Sequence, residues 1–341
     1  MSYKVTIQPS GHEFELAENE LVLDGALRNG IMFPYSCRGG SCGTCFGKVL
    51  AGDIDFPDGL PLGLMESDRV QGQALFCCAT AKTDLIIDVR EVRSRAEIRT
   101  KTLPAQVRSL RQLAPDVMEV ILALPASESL AFRAGQYIDF LLRNNKRRAF
   151  SIANAPSTSA PDENELLELH IRLVKGGEFT ALVFNKLQPK SLVRIEAPLG
   201  DFYVREESNR PLIMIAGGTG FAPLKAMIEQ LRAEQDTRPI HLYWGAQTLT
   251  DLYHASLAKQ WVKQGGFSFT PVLSQARDED NWQGRSGYVH EAVAADYPDL
   301  SGFDVYMAGP PEMIVAAQAA FFAQGLPREQ LFNDSFEYAQ R

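Results

Sequence analysis

Three cysteines fall within the stretch Cys37-Arg38-Gly39-Gly40-Ser41-Cys42-Gly43-Thr44-Cys45, and two more stand side by side at Cys77 and Cys78. The Cys-x4-Cys-x2-Cys spacing followed by a distant fourth thiol is that of a plant-type [2Fe-2S] cluster. Thiolates suit iron because they are soft, charged donors, and the interleaved Gly39, Gly40 and Gly43 let the backbone wrap closely and aim N–H groups at sulfur. A structural zinc site pairs two short clips, and no His or Cys other than Cys78 lies near Cys77 to complete the second. Disulfides fit worse, since the five cysteines are an odd number and no signal peptide precedes the first strand. The expectation is a one-electron carrier near the N-terminus of a cytoplasmic, reduced protein.

At 341 residues the chain can form two or three domains, each with its own core. It is 45% hydrophobic and 22% charged, with no apolar run long enough to cross a bilayer, so a globular protein without a membrane span is expected. A net charge of -8 argues against nucleic acid as a partner.

Tyr3 to Gln8 and Glu13 to Leu16 read as a hairpin, Val22 to Asn29 as a helix stopped by Gly30, and Phe46 to Leu50 and Leu85 to Val89 as strands. This order suits a β-grasp ferredoxin module over residues 1–92. From the residues alone Cys77 or Cys78 could be the fourth ligand, and only one can serve, because neighbours at a strand end point opposite ways. Basic residues crowd from Arg90 to Arg111, and residues 93–102 read as a solvated linker. Residues 103–207 carry frequent strands, including Met118 to Leu124, Tyr137 to Leu142, Leu166 to Val174 and Leu192 to Ala197, with a short helix after Gly177. This pattern predicts a closed antiparallel β-barrel. Gly176-Gly177 followed by Thr180 at the helix start forms an anion cradle. From residue 208 to 341 strands alternate with helices, as in a doubly wound α/β sheet. Two glycine turns, Gly217-Gly218-Thr219-Gly220-Phe221-Ala222-Pro223 and Gly309-Pro310-Pro311, fall where such a sheet binds its ligand. The five histidines receive no catalytic part, and His170 is expected to line the barrel.

Arg148-x-Phe150-Ser151, Gly176-Gly177-x-x-Thr180, Pro198-Leu199-Gly200-Asp201-Phe202 and the two glycine turns resemble, in this order, the ferredoxin-NADP reductase superfamily. With the N-terminal module, essentially the whole chain is similar to iron-sulfur flavoprotein reductases. These are the reductase components of multicomponent oxygenases such as those for benzoate, phenol and methane, and CDP-6-deoxy-glucoseen reductase. The resemblance implies that Cys77, the first Cys of Leu75-Phe76-Cys77-Cys78-Ala79, joins Cys37, Cys42 and Cys45 as a metal ligand. It implies FAD held by Arg148 at the pyrophosphate, Ser151 near the flavin N5 and Phe150 against the ring, with Arg172, Gly176, Gly177 and Thr180 completing the phosphate site. Nicotinamide nucleotide would occupy Gly217, Gly218, Thr219, Gly220, Pro223, Gly309 and Pro310, and Phe336 would cover the flavin. Relatives mostly carry Tyr at position 150 and often Cys at position 308, where this chain has Phe150 and Ala308.

The implied enzyme is an NAD(P)H-dependent oxidoreductase. Electrons would run from NADH through FAD and the cluster to an acceptor protein, either an oxygenase component or a deoxysugar dehydratase. Ser274-Gln275 stands where NADPH-using relatives tend to have Ser-Arg, which favours NADH, with Arg277 and Arg285 nearby as a counter-signal. A non-enzymatic redox sensor would not need intact motifs on all three domains.

Overall fold

The computed structural model describes residues 2–91, 98, 100–143, 146–156 and 166–336. Residues 92–97 and 99, which hold most of the expected linker, lie outside the described residues. By contacts the chain forms two units, the first made of residues up to Glu97 with a C-terminal segment from Asn333, the second beginning at Ile98 and running to Phe332.

In the first unit five strands lie in the order Glu13–Ala17, Ser2–Gln8, Leu85–Asp88, Phe46–Ala51, Gln73–Leu75. The first two are the expected hairpin, with Val5 opposite Phe14 and Tyr3 opposite Leu16. Strand Ser2–Gln8 then runs parallel to Leu85–Asp88. Alternation sends Val5, Ile7, Phe14, Leu16 and Ile87 inward onto helix Val22–Arg28, whose Val22, Leu23 and Ala26 are buried. Gly30, at φ 76°, turns the chain after the helix into the cysteine loop.

The second unit contains a barrel and a doubly wound sheet. The barrel strands are ordered Arg147–Ser151, Tyr137–Leu141, Leu192–Leu199, Lys101–Ala114, Val117–Ala123, Leu166–Arg172, each pair antiparallel. The two end strands meet through the Ile152–Leu169 bridge, which closes the barrel. The strand Lys101–Ala114 reaches into what the sequence suggested was linker. Leu103, Ala105 and Val107 point inward while Arg108 stays exposed, so the basic crowding there is one face of a strand.

In the sheet the order is Arg285–Ser286, Phe267–Leu273, Ile240–Ala246, Leu212–Gly217, Asp304–Gly309, Leu331–Ser335, with the first five strands parallel. Leu212, Met214 and Ala216 pack under helix Phe221–Ala233, and Ile213 and Ile215 face Val293, Ile314 and Phe321 on the other side. Successive strands step outward from Leu212–Gly217 in one direction, then the chain returns to add Asp304–Gly309 on the other. The switch point therefore lies between those two strands, where such sheets bind ligands beyond the carboxyl ends. Among the described residues no helix is long and apolar enough to cross a membrane.

Candidate functional site: a thiol loop, a cationic barrel edge and a glycine floor

The cysteine loop folds as its glycines dictate. Gly40 and Gly43 take φ of 82° and 77°, which L side chains rarely adopt, and Cys42 and Cys45 between and after them are buried. Backbone N–H groups approach the sulfurs: Gly39 N to Cys37 Sγ, Thr44 N to Cys42 Sγ and Cys77 N to Cys45 Sγ, each at 3.4 Å. The thiols group in pairs. The Cys37 thiol beside it, then burial, pushes Cys42 well up, and Cys45 together with burial does the same for Cys77. Thiols so placed ionise only if a bound cation compensates, which is the chemistry of an iron site.

The pairing also bears on which metal. A tetrahedral zinc with bonds of about 2.3 Å would draw all four sulfurs within roughly 3.8 Å of one another. Among the described residues the one set of three or more His, Cys, Asp or Glu ligand atoms within 4.8 Å of each other is Glu119, Glu168, His170 and His254, away from this loop. Two separated pairs fit two irons. Cys78 lies 3.6 Å from Cys77 sulfur to sulfur, and its own sulfur packs against Gly40, where a Cβ would come within 2.6 Å of it.

Sequence reasoning missed a set of contacts to this loop inside the first unit. Ser36 donates to Asp334 Oδ1 at 2.6 Å, Ser41 donates to the Ser335 hydroxyl at 2.8 Å, and Thr44 donates to the Asn333 carbonyl at 3.4 Å. Each donor immediately precedes a loop cysteine. Ser41 also approaches Cys37 Sγ at 3.6 Å. Phe336 follows these residues and is half-buried.

On the barrel, strand Arg147–Ser151 pairs with Tyr137–Leu141, placing Ser151 opposite Tyr137 and Arg148 opposite Phe140. Alternation puts Arg148 and Phe150 on one face and Ser151 on the other. Phe150 packs on Phe179 and Phe140, with centroids 5.6 and 5.8 Å away. Phe179 is in the first turn of helix Glu178–Asn185, so the strand and the helix start are neighbours. That helix begins at Gly177 without a side-chain cap, and Ala181 N–H is the first to bond back, to Gly177 O. The N–H groups of Glu178, Phe179 and Thr180 thus lack intrahelical acceptors and suit an anion. Among the described residues no carboxylate pairs with Arg148, whose guanidinium bonds the Arg147 carbonyl at 2.7 Å. This donor set fits a pyrophosphate.

Two further expected members of that site have protein partners of their own. The Thr180 hydroxyl accepts from Val174 N at 3.1 Å and contacts Gly177 O at 3.2 Å, so it holds the glycine turn together. Arg172 ends its strand four residues before Gly176, bonded to Asp116 at 2.6 Å and Asp251 at 3.2 Å. His170 does not line the barrel. In strand Leu166–Arg172 the apolar Leu167, Leu169 and Ile171 fill the barrel core, so Glu168, His170 and Arg172 face outward. The alternation Leu-Glu-Leu-His-Ile-Arg carried that signal. His170 bonds Glu168 at 2.8 Å and Tyr253 at 3.1 Å. Burial, offset by the His170 hydrogen bond and the Lys225 charge, leaves the Glu168 carboxyl held down at about 2, while burial and His170 hold His254 down at about 4.

At the switch point the two glycine turns touch. A Cβ on Gly309 would lie 3.0 Å from Gly217 Cα, and one on Gly220 would strike the Ala308 carbonyl. Gly218, at φ 54°, gives its carbonyl to Trp244 Nε1 at 2.9 Å, and the Trp244 ring stacks on Phe221 at 4.0 Å. Pro223 is buried in the helix that follows, and Pro310 caps helix Pro311–Ala323. The result is a floor made largely of closely packed backbone, of the kind that takes a flat ligand and its phosphates at a switch point.

Residues 5–82 match the family 2Fe-2S iron-sulfur cluster binding domain, 104–203 the Oxidoreductase FAD-binding domain and 214–319 the Oxidoreductase NAD-binding domain. The chain is 39% identical over 337 residues to the CDP-6-deoxy-L-threo-D-glycero-4-hexulose-3-dehydrase reductase of Yersinia pestis, covering 98% of this chain and 99% of that one. The chain belongs to the iron-sulfur flavoprotein reductases. It is also 34% identical to the phenol 2-monooxygenase reductase component of a Pseudomonas species, over 98% of this chain and 95% of the relative. Among solved structures, the Amycolatopsis cytochrome P450 reductase GcoB matches with a TM-score of 0.76 at 32% identity, covering 99% of this chain and all of that one. The reductase is an NAD(P)H-dependent oxidoreductase carrying a [2Fe-2S] cluster and FAD.

Proposed function

We propose that this reductase takes electrons from NADH and delivers them one at a time, through FAD and the [2Fe-2S] cluster, to an oxygenase component. The observation that carries the reading is the coexistence of the paired thiol loop, the cationic barrel edge and the glycine floor in one chain. Flavin supplies the exchange between a hydride pair and single electrons, and the cluster carries one electron at a time. The chain's own residues bind and orient. Cys37, Cys42, Cys45 and Cys77 would hold the irons, Arg148 and the N–H groups of residues 178–180 would hold the pyrophosphate, and Ser151 would meet the flavin near N5. Phe150 would lie against the ring, and Phe336 would be the aromatic that yields to nicotinamide.

The preference for NADH has support in the sheet. A 2′-phosphate needs available cations. Arg285 is paired with Asp296 and also donates to the Ala292 carbonyl at 3.2 Å, and Arg277 is paired with Glu279 at 3.2 Å. Arg285 is thus held on two sides, while the exposed Arg277–Glu279 pair holds its cation only weakly. The ratio of kcat/KM for the two nucleotides should favour NADH; an NADPH advantage defeats this assignment.

A second acceptor class, a sugar dehydrase, is favoured by the 39% identity to the Yersinia pestis reductase across nearly the full length of both chains. NADH-driven reduction of a purified oxygenase component and of a purified CDP-hexulose dehydrase, compared side by side, separates the two. Turnover confined to the dehydrase would overturn the oxygenase assignment.

A further inference from the structure

The outward stripe Glu168, His170, Arg172 is a row of polar side chains at every second position of a strand, an arrangement that ordinarily faces water. Here it faces protein. The His170 side chain is fully buried, and that of Glu168 is 16% exposed. Each residue of the stripe reaches a different group of the nucleotide-binding lobe. Glu168 Oε2 meets Lys225 Nζ at 2.9 Å, His170 Nδ1 meets the Tyr253 hydroxyl at 3.1 Å, and Arg172 Nη1 meets Asp251 at 3.2 Å.

Lys225 is the centre of this seam. Its side chain is 7% exposed, and its ammonium has three acceptors: the Ala153 carbonyl at 2.9 Å, Glu168 at 2.9 Å and Glu229 at 3.0 Å. Ala153 is two residues past Ser151, and its N–H donates to Glu168 O at 2.7 Å beside the Ile152–Leu169 closure. One ammonium therefore grips both strands where the barrel shuts. It stands one turn into helix Phe221–Ala233, which starts at the Gly217–Gly220 floor. The other end of that floor abuts the stripe as well, since a Cβ on Gly218 would lie 3.6 Å from Arg172 Nη2.

We propose that Lys225, through the Glu168–His170–Arg172 seam, is a positioning residue that fixes the register of the glycine floor against the Arg148–Ser151 strand and so sets the geometry of hydride transfer. The inference rests on the function proposed above. Sliding one lobe over the other would strand buried polar groups, which the low dielectric of the seam penalises. A displacement on the order of 1 Å of reacting groups can cost about a hundredfold in rate. A divalent metal at the seam is a poor alternative. Glu119, Glu168, His170 and His254 bring ligand atoms within 4.8 Å, but Arg111 and Lys225 already neutralise the two carboxylates.

The test uses the full chain with its cofactors. Lys225→Met leaves Glu168 buried with a charge, so the double variant Lys225→Met with Glu168→Gln is read beside it. FAD content and its visible spectrum should be retained. The limiting rate of flavin reduction by NADH in stopped flow should fall at least about tenfold, with half-saturation by NADH changed less than about threefold. The long-wavelength charge-transfer absorbance of reduced flavin with NAD+ should weaken, and amide exchange over residues 249–254 should quicken while strand Val117–Ala123 stays protected. A double variant with the parental rate, charge-transfer band and exchange overturns the proposal. So does loss of NADH affinity at an unchanged limiting rate, or loss of FAD, which would assign Lys225 to barrel folding. Failure of the underlying function would instead appear in the unmodified protein, as a flavin that NADH does not reduce, and the exchange measurement would still decide the seam.

Discussion

Gly63→Ala tests how tightly the cysteine loop is packed. Gly63 donates its N–H to the Gly40 carbonyl at 2.8 Å. A Cβ at position 63 would lie 2.8 Å from Ser41 O, 2.9 Å from Gly40 O and 3.0 Å from Ser41 C, all backbone atoms that cannot rotate away. Each contact is short by about half an ångström, and relieving overpacking of this kind costs about 1–3 kcal/mol. The loop can escape only by moving the segment from Gly40 to Cys42, which carries one ligand, Cys42, and the Ser41 hydroxyl beside another, Cys37. At about 1.4 kcal/mol per tenfold, the population of opened loop should rise by roughly five- to a hundredfold. The assay is loss of visible cluster absorbance from the holoprotein under a chelator, with Gly302→Ala, whose added Cβ would meet nothing within 4 Å, as the control. Bleaching should speed up by that factor in Gly63→Ala alone. A Gly63→Ala protein that bleaches at the parental rate would refute the packing argument.

Cys42→Ser should abolish NADH-driven reduction of a one-electron protein acceptor yet spare NADH–ferricyanide activity; retained acceptor reduction contradicts the wiring. Ser41→Ala removes a hydroxyl whose one proton is shared between Ser335 Oγ at 2.8 Å and Cys37 sulfur at 3.6 Å, and because donors to sulfur favour the reduced cluster, an EPR-monitored titration should show a lower midpoint potential. A difference of about 1 kcal/mol between oxidation states corresponds to about 40 mV for one electron, and an unchanged or higher potential would count against the contact. Glu168 has its folded-state pKa lowered from 4.5 to about 2, so its contribution is complete above pH 4.5 and lost as pH falls through about 2. The size is about 3 kcal/mol, and urea unfolding of the parent and of Glu168→Gln across this window should converge at the acid end; parallel curves would exclude the linkage.

The parts of the site that sequence revealed are those whose chemistry is written in local spacing. The Cys37–Cys45 loop is legible because ligands on one short loop must keep fixed intervals, and the glycine turns because strand ends at a switch point leave no room for Cβ atoms. The barrel was legible from alternation, and alternation correctly followed would also have turned His170 outward. The strand Lys101–Ala114 was obscured because its outward face is basic, and charge density resembles linker composition. Nothing local announces that Ser36, Ser41 and Thr44 meet Asp334, Ser335 and Asn333, since those partners lie 298, 294 and 289 residues away. Lys225 reads as one more helix cation until the strand it grips is folded beside it.

The departures at positions 150 and 308 follow from packing and raise the importance of that grip. Phe150 lies among Phe140 and Phe179, where a tyrosine hydroxyl would need a partner and phenylalanine does not. Ala308 is fully buried, in register with Ala216 and with its carbonyl beneath Gly220, so a small side chain keeps the two glycine turns in contact. By the family resemblance, both changes would take a polar or soft group away from the rings. Orientation in this chain then falls more heavily on stacking and on backbone, and backbone orients only as well as the lobes carrying it are registered. A restored hydroxyl, Phe150→Tyr, should therefore recover part of the flavin-reduction rate lost in the Lys225→Met, Glu168→Gln variant while changing the parental rate little, because it supplies an independent hold on the same ring. Equal gains in both backgrounds, measured by stopped flow, would show that the seam and the ring contacts act separately and that register is not what the departures place under strain.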